Sequence, residues 1–433
     1  MRKTVGIVLA GARVEELSVL TEHRPKSAVV FGGVYRTIDF ALTNLANADI
    51  GQVGILSQYR PASLMDHVDS GLAWDLVGAA RGLRFLPPYL GSESDAWYRG
   101  PADALYQNLD FIERTVADDV IAVSGDHAYS MDYGPLLSFH KEKAADLTIA
   151  FTPVVGDASR FGIGEMNAAG EIVGFSEKPE YPRSNLASMS VYVFRRQVLV
   201  EELHKAVAGV NGAATFQIYE ILKRMIPYRR AYGYVWHGDW GYVRTLDEYY
   251  QFHQSLLGSP PKIDLSQWGV RTNVMARRIA PPSPARYLPG CKVDNSLVAN
   301  GCVIAGSVHN SILSPGVKIA ADAKVTNSIL WDNVIVESGA VLDGVIADKR
   351  AVFGAETLVG SGSANQANEE LPESLSCGVS VIGMEVCIPA KTRIQKNVII
   401  HYRVSQDEIA QEITAGKSVH AKVIQVGHVG GQA

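Results

Sequence analysis

Long apolar runs, dense cysteine and blocks of basic charge are all missing from this sequence of 433 residues. No stretch approaches the roughly 20 consecutive apolar residues of a membrane-spanning helix. The N-terminus, Met1 to Leu9, carries two basic residues, but its apolar run stops at Gly11, too short for the core of a secretory signal. Lys and Arg number 40 against 45 Asp and Glu, a formal net charge of −5. Without clusters of Lys and Arg there is no electrostatic footprint for a polynucleotide or an anionic membrane. The expectation is a cytoplasmic protein with no nucleic-acid and no membrane partner. The four cysteines, Cys291, Cys302, Cys377 and Cys387, all fall in the last third. Their gaps match neither a C-x-x-C zinc pattern nor a disulfide framework, so they read as small buried apolar residues in a reducing compartment.

What is present is core material: 47% of residues are hydrophobic and 20% charged, the balance of a folded chain of about two or three domains. The first 250 or so residues alternate short β-branched runs with helical patterns, the signature of βαβ units on a largely parallel sheet. Val5 to Ala10, Gln52 to Leu56, Val120 to Ser124, Leu147 to Pro153 and Ser190 to Phe194 read as strands. Tyr35 to Ala48, Ala62 to Ser70, Ala102 to Arg114 and Met131 to Lys143 have apolar residues at helical spacing. In such α/β sheets ligands bind beyond the carboxyl ends of the strands.

From Gly258 to Pro289 the prolines Pro260, Pro261, Pro281, Pro282, Pro284 and Pro289 withhold backbone donors and mark a connector. Beyond it apolar residues recur every four to six positions between Gly, Asn, Asp and Ser, from Val303-Ile304 to Val345-Ile346. That run resembles degenerate hexapeptide repeats, which wind a left-handed parallel β-helix. An ordinary antiparallel β-domain is the alternative. Gly360 to Leu375, polar and small, reads as an inserted loop before the pattern returns at Val379 to Ile400. The tail from Ser405 carries one short helical pattern and reads as a cap with a loose end.

Several segments are candidates for chemistry. After the first strand, Gly11-Ala12-Arg13-Val14-Glu15-Glu16 occupies the position of a phosphate cradle of backbone amides. Its two glutamates would repel a triphosphate, and a solvated acidic helical turn is the simpler reading. Lys26, behind Pro25, is better placed for a phosphate. Val123-Ser124-Gly125-Asp126-His127 ends an apolar strand in a carboxylate suited to magnesium, which takes one or two carboxylates plus substrate phosphates. Capping of the following segment by Asp126 is the alternative. Glu177-Lys178-Pro179 pairs a carboxylate with an ammonium, suited to sugar hydroxyls and a phosphate, or forms a plain surface ion pair. Trp97-Tyr98-Arg99-Gly100 offers aromatic faces and a guanidinium for stacking, or one aromatic for the core.

Read together, Phe31-Gly32-Gly33, Ile38 to Asn44, Ser57-Gln58-Tyr59, Trp97 to Ala104, Ser124 to Tyr129, Phe161-Gly162, Glu177-Lys178-Pro179 and Leu186-Ala187-Ser188-Met189 occur in order. They resemble the glucose-1-phosphate adenylyltransferases (ADP-glucose pyrophosphorylases) of glycogen and starch synthesis, from about residue 3 to 400. The resemblance implies a mostly parallel-sheet, Rossmann-like nucleotidyltransferase domain at 1–257, a linker at 258–289 and a left-handed β-helix domain with tail at 290–433. It implies Tyr98, Gly162, Glu177, Lys178 and Ser188 around glucose 1-phosphate, Gly11 and Gln58 at the nucleotide, and Lys26 and Asp126 in catalysis, with Asp126 on Mg2+. The family reaction is attack of the sugar phosphate on the α-phosphorus of ATP, releasing pyrophosphate, and is served by positioning and charge neutralisation. Family members assemble as homo- or hetero-tetramers. Arg24 and Arg36, near the domain interface in this family, are candidates for a phosphorylated effector, with surface arginines as the alternative.

The departures are selective. The family's G-G-x-G-x-R-L turn has Ala12, Val14 and Glu16 at its second and third glycines and its arginine, and Ser27 follows Lys26 where proline is usual. In the W-R-D-V-G-T-L segment, alignment through Thr245-Leu246-Asp247 puts Gly241, Tyr242 and Arg244 at the arginine, the second metal-binding aspartate and the glycine. A tyrosine cannot replace a carboxylate, since a phenol is neutral at pH 7. Asp239 fits there only by a shifted register. Ser190 stands where a glycine is usual after Ser188-Met189. Two functions stay open at this point: an adenylyltransferase making ADP-glucose, or a regulatory subunit that binds sugar phosphate or effector beside a catalytic paralogue. A transferase for another sugar phosphate or nucleotide is a third.

Overall fold

The computed structural model describes residues 3–78, 80–89, 97–209, 216–276 and 283–422. Part of the proline-rich connector, 277–282, and the end of the tail, 423–433, lie outside the described residues.

The first domain is built on a nine-stranded sheet. Its strands are β1 (Thr4–Leu9), β2 (Gln52–Leu56), β3 (Gly82–Leu86), β4 (Asp119–Ser124), β5 (Leu147–Pro153), β6 (Gly162–Met166), β7 (Ile172–Glu177), β8 (Leu186–Arg195) and β9 (Ala231–Val235). They run in the order β7-β6-β8-β4-β1-β2-β3, with β5 added beside β8 and β9 beside β5. The β4-β1-β2-β3 half is parallel, while β8 runs antiparallel to β4, β5 and β6. Val5, Ile7, Val8 and Val120 to Val123 are fully buried, as continuous apolar strands covered on both faces must be. One face is covered by helices including Thr37–Asn47 and Tyr133–Glu142, the other by Pro101–Gln107, Leu109–Arg114, Arg196–Ala208 and Ile218–Met225. The single helix expected over Ala102 to Arg114 is broken at Asn108. The Asn108 side chain donates to both the Ala104 carbonyl and the Tyr98 hydroxyl, which diverts it from solvent and ends the first helix.

Residues 286–419 form three parallel sheets of six, seven and seven short strands, matching the left-handed hexapeptide β-helix read from the repeats. Ile335 pairs with Val352 one coil later, so that coil spans 352 − 335 = 17 residues. A repeat near but not at three hexapeptides accounts for the irregular sequence spacing. Leu313, Leu330, Ala347, Ile382 and Ile400 point into the coil. Their neighbours Ile312, Ile329, Ile346, Val381 and Ile399 point out and pack with Leu17, Val19, Phe31, Phe40 and Tyr249 of the first domain. That sheet is buried on both faces, which is why its strands read as apolar pairs rather than alternating residues. The inserted loop follows Ser361, and the tail adds two further strands, Glu412–Ile413 and Ser418–Val419, instead of a helix.

Two expectations need correction. Of the cysteines, Cys302 alone is buried; Cys291 and Cys387 are half-buried and Cys377, in the insertion outside the coils, is exposed. All four are free thiols. Arg24 and Arg36 are not surface arginines. Arg24 makes a bidentate pair with Asp348 (2.7 and 3.1 Å) and lies 5.0 Å from the Trp331 ring centre, while Arg36 reaches Asp332 at 3.3 Å. Both guanidiniums are thereby neutralised between the domains. Among the described residues no helix is long and apolar enough to cross a membrane.

Candidate active site

Leu9 of β1 lies beside Leu56 of β2 and Ser124 of β4, so the loops after these three strands emerge together. Lys26 is pinned there by its amide, which donates to the Ala12 carbonyl at 3.0 Å. Its ammonium is 2.9 Å from Asp126 Oδ2 and only 2% exposed. Gly125 lets the loop after β4 seat against β1, since a Cβ there would stand 2.9 Å from Val8 Cγ1. Burial alone would push the Asp126 carboxyl up, but Lys26, His127 and a hydrogen bond donated by Ser124 Oγ together hold it well below the usual carboxylate range. Asp126 is therefore a fixed anion with a cation already on it, not a helix cap. Burial drives His127 down to about 4, so its ring is neutral, and its Nδ1 donates to the Met189 carbonyl at 3.1 Å.

An aromatic ring covers Lys26. Trp240–Gly241 pairs antiparallel with Ala128–Tyr129, which carries Tyr242 over Lys26. The Tyr242 ring centre is 4.5 Å from the Lys26 ammonium, 5.0 Å from the His127 ring and 5.5 Å from Phe161. Trp240 stacks on it at 5.9 Å. Asp239 is exposed in the turn before Trp240, outside this cluster.

In the acidic turn Glu15 is exposed, as expected of a solvated turn, while Glu16 is half-buried and paired. Arg244 donates to Glu16 Oε1 through Nε at 2.8 Å, and a terminal nitrogen approaches it to 2.7 Å. Burial pushes the Glu16 carboxyl up, but a hydrogen bond from its own backbone amide and the side-chain hydrogen bond and charge of Arg244 pull it below its ordinary value. Against the pattern that the resemblance implies, both positions differ, with opposite signs. Sequence reasoning treated them separately; the opposed charge changes were the signal that they face each other.

On the opposite rim, Gly162 and Glu177 are register partners in the β6–β7 hairpin. A Cβ at Gly162 would meet Phe175 Cζ at 2.7 Å and Glu177 Oε2 at 3.0 Å, so glycine makes the room in which the Glu177 carboxylate lies. Burial raises the Glu177 carboxyl against the pull of Lys178 and Lys223. Lys178 adopts φ +45° while its amide donates to the Phe161 carbonyl at 3.0 Å. Ser188 on β8 is buried and accepts from the Ser190 amide at 3.3 Å.

Gln58, Gly11 and Tyr98 form one wall. The Gln58 side chain accepts from the Tyr98 amide (2.8 Å) and donates to the Tyr98 carbonyl (3.1 Å), and a Cβ on Gly11 would lie 3.2 Å from the Gln58 amide nitrogen. The Tyr98 hydroxyl donates to the Leu86 carbonyl (2.9 Å) and accepts from Asn108 (2.8 Å), and burial pushes its pKa up to about 12. Tyr98 is thus anchored in the core, whereas Trp97 is 66% exposed. Arg99 lies over the Phe216 ring at 3.8 Å and pairs with Asp103. An open cleft at the amino ends of β1 and β2, near Lys3, Gln52 and Arg114, holds none of these residues.

The arrangement has a cation-anion pair and two carboxylate-bearing rims at the end of a parallel sheet, the location at which α/β folds bind nucleotides. Residues 5–259 match the nucleotidyl transferase family and residues 286–382 the GlmU-like C-terminal hexapeptide family. The chain is 39% identical over 420 residues to a glucose-1-phosphate adenylyltransferase of Thermomicrobium roseum, covering 96% of this chain and 97% of the relative. It is 37% identical over 424 residues to one of Acetivibrio thermocellus, covering 96% and 98%, and 35% identical over 397 residues to one of Desulfitobacterium hafniense, covering 91% and 97%. This chain belongs to the glucose-1-phosphate adenylyltransferase family of nucleotidyltransferases.

Proposed function

We propose that this chain binds glucose 1-phosphate but transfers nucleotide slowly on its own, acting in the cytoplasm beside a catalytic subunit of glycogen or α-glucan synthesis. The observation that carries this reading is Tyr242, packed on Lys26 where the family places its second metal-binding carboxylate. Magnesium takes one or two carboxylates plus phosphate oxygens. Asp126 is one carboxylate, already neutralised by Lys26, and faces an aromatic cluster. These residues do not fit a two-carboxylate magnesium site.

The sugar-phosphate rim supports binding. The Lys178 ammonium would neutralise the phosphate, and Glu177, half-buried beside Gly162, would accept from sugar hydroxyls. Calorimetric titration of the full chain with glucose 1-phosphate tests this. Saturable binding that weakens at least tenfold in Lys178→Ala is expected. No binding to the unaltered chain, or equal binding to both, would overturn it.

A second reading, an enzyme forming ADP-glucose from ATP and glucose 1-phosphate as a homo- or hetero-tetramer, is favoured by Arg244. It restores a guanidinium beside the turn after β1, although from another segment and with Glu16 attached. The three relatives carry the enzyme's name over nearly their whole length. In that reading Lys26 must leave Asp126 to meet the triphosphate. Pyrophosphate release by the purified chain distinguishes the two.

A further inference from the structure

At the end of the β-helix two histidines fall one above the other. Ile399–Ile400 and Ser418–Val419 pair in parallel with Ile400 opposite Val419, and the His401 amide donates to the Val419 carbonyl at 2.9 Å. His401 and His420 therefore occupy the same corner of successive coils, their rings 3.9 Å apart and fanned by 21°. The inserted loop returns to this corner. Asn368 is buried and donates to the carbonyls of Asn397 (3.0 Å) and Gly416 (3.2 Å), and Glu369 takes Lys417 at 2.7 Å. These contacts deliver the next residue, Glu370. Its Oε1 is 2.7 Å from His420 Nε2 and its Oε2 is 3.9 Å from His401 Nε2.

A fourth group comes from the other domain. Glu22 Oε2, at the end of the short helix Val19–Glu22, is 3.6 Å from His401 Nδ1. The opposite ring nitrogen, His401 Nε2, is buried and has no hydrogen-bond partner. Glu22 Oε2 is itself buried with no hydrogen-bond partner, and closing its 3.6 Å gap to Nδ1 would fix the tautomer that leaves Nε2 with a free lone pair, the usual support of a metal-bound histidine.

We propose that Glu370, His401 and His420 bind a divalent transition-metal ion of the zinc class, with Glu22 orienting His401 from the first domain. Two imidazoles and one carboxylate are a zinc donor set, with ligand distances of about 2.0–2.2 Å. One ligand atom from each residue already lies within 4.8 Å of the others. Tetrahedral ligation at those distances needs them roughly 3.4 Å apart. Glu370 and His420 are exposed and free to turn, so His420 can tilt out of the stack and bring its Nε2 onto the ion. The fourth position faces solvent. The ion ties the inserted loop to the last two coils and, through Glu22, both to the nucleotidyltransferase domain. Its role is to clamp the interface, and it takes no part in nucleotidyl transfer.

The test is calorimetric titration of the chelator-stripped full chain with zinc chloride, with melting followed in parallel. One equivalent should bind at this site, and the melting temperature should rise with zinc. His420→Gln, at a half-exposed position, should lower zinc affinity at least 100-fold while leaving the melting temperature in chelator unchanged, which separates lost ligation from misfolding. Glu22→Gln should weaken zinc about 10- to 100-fold. Absence of stoichiometric uptake, or uptake that is unaltered in His420→Gln, would overturn the proposal and leave the cluster as imidazole–carboxylate hydrogen bonds alone.

Discussion

On one side of the candidate site lie Gly162, Glu177, Lys178 and Ser188, the residues that the resemblance implies for a sugar phosphate, and glycine makes the room in which the Glu177 carboxylate lies. On the other, Glu16 and Arg244 neutralise each other while Tyr242 covers Lys26. A site decaying at random would leave unpaired buried charge, which is costly. Here the charges close among themselves. In the reading proposed above, the residues that would fail a triphosphate are the ones that form this resting network.

The largest effect expected comes from making the two sides alike again. Val14→Gly, Glu16→Arg and Tyr242→Asp together with Arg244→Gly should raise turnover by about 100-fold or more, the scale of restoring aimed charge at a reacting phosphate. Pyrophosphate release measures it. Glu16→Arg alone should give no gain, because the new arginine would face Arg244.

The resting network also has a pH signature. Burial holds His127 at about 4 in the folded chain against an ordinary 6.5. Its stabilising contribution is present above about pH 6.5 and is lost as pH falls toward 4, because the unfolded chain takes up the proton first. The loss reaches roughly 3 kcal/mol at the acid end. Urea unfolding at a series of pH values should show it, and His127→Gln should flatten the curve in that window.

A smaller effect sharpens the contrast from the side of Gly162 and Glu177. Gly162→Ala, which crowds Phe175 and Glu177, should weaken glucose 1-phosphate binding about tenfold by titration, leaving ATP binding unaltered. The smallest is Glu16→Gln. It leaves a part-exposed Arg244 without its partner, and stability in urea should fall by no more than about 1 kcal/mol.

Much of this was legible in the sequence because it is written in local period. Val120 to Val123 reads as a doubly covered strand and is one, and the apolar pairs of the β-helix mark the sheet that packs on the first domain. The strands Gly82–Leu86, Gly162–Met166 and Ile172–Glu177 gave no such signal, since their glycines and exposed positions break the alternation. At the site, Lys26 and Asp126 could be named from position, but not that they bind each other, a contact across 100 residues of chain. The same limit hid Arg244 from Glu16 and Asp348 from Arg24. Partners that meet only through the fold leave no trace in spacing.

The most direct measurement is the steady-state rate of pyrophosphate release by the purified chain with saturating ATP, magnesium and glucose 1-phosphate. A rate far below 1 s⁻¹, about the low end of ordinary enzymes, in a protein that still binds glucose 1-phosphate is the expected result. A rate at or above about 1 s⁻¹ would mean that Lys26 leaves Asp126 readily and that Tyr242 does not block the triphosphate, contradicting the proposed division between the two sides of the site.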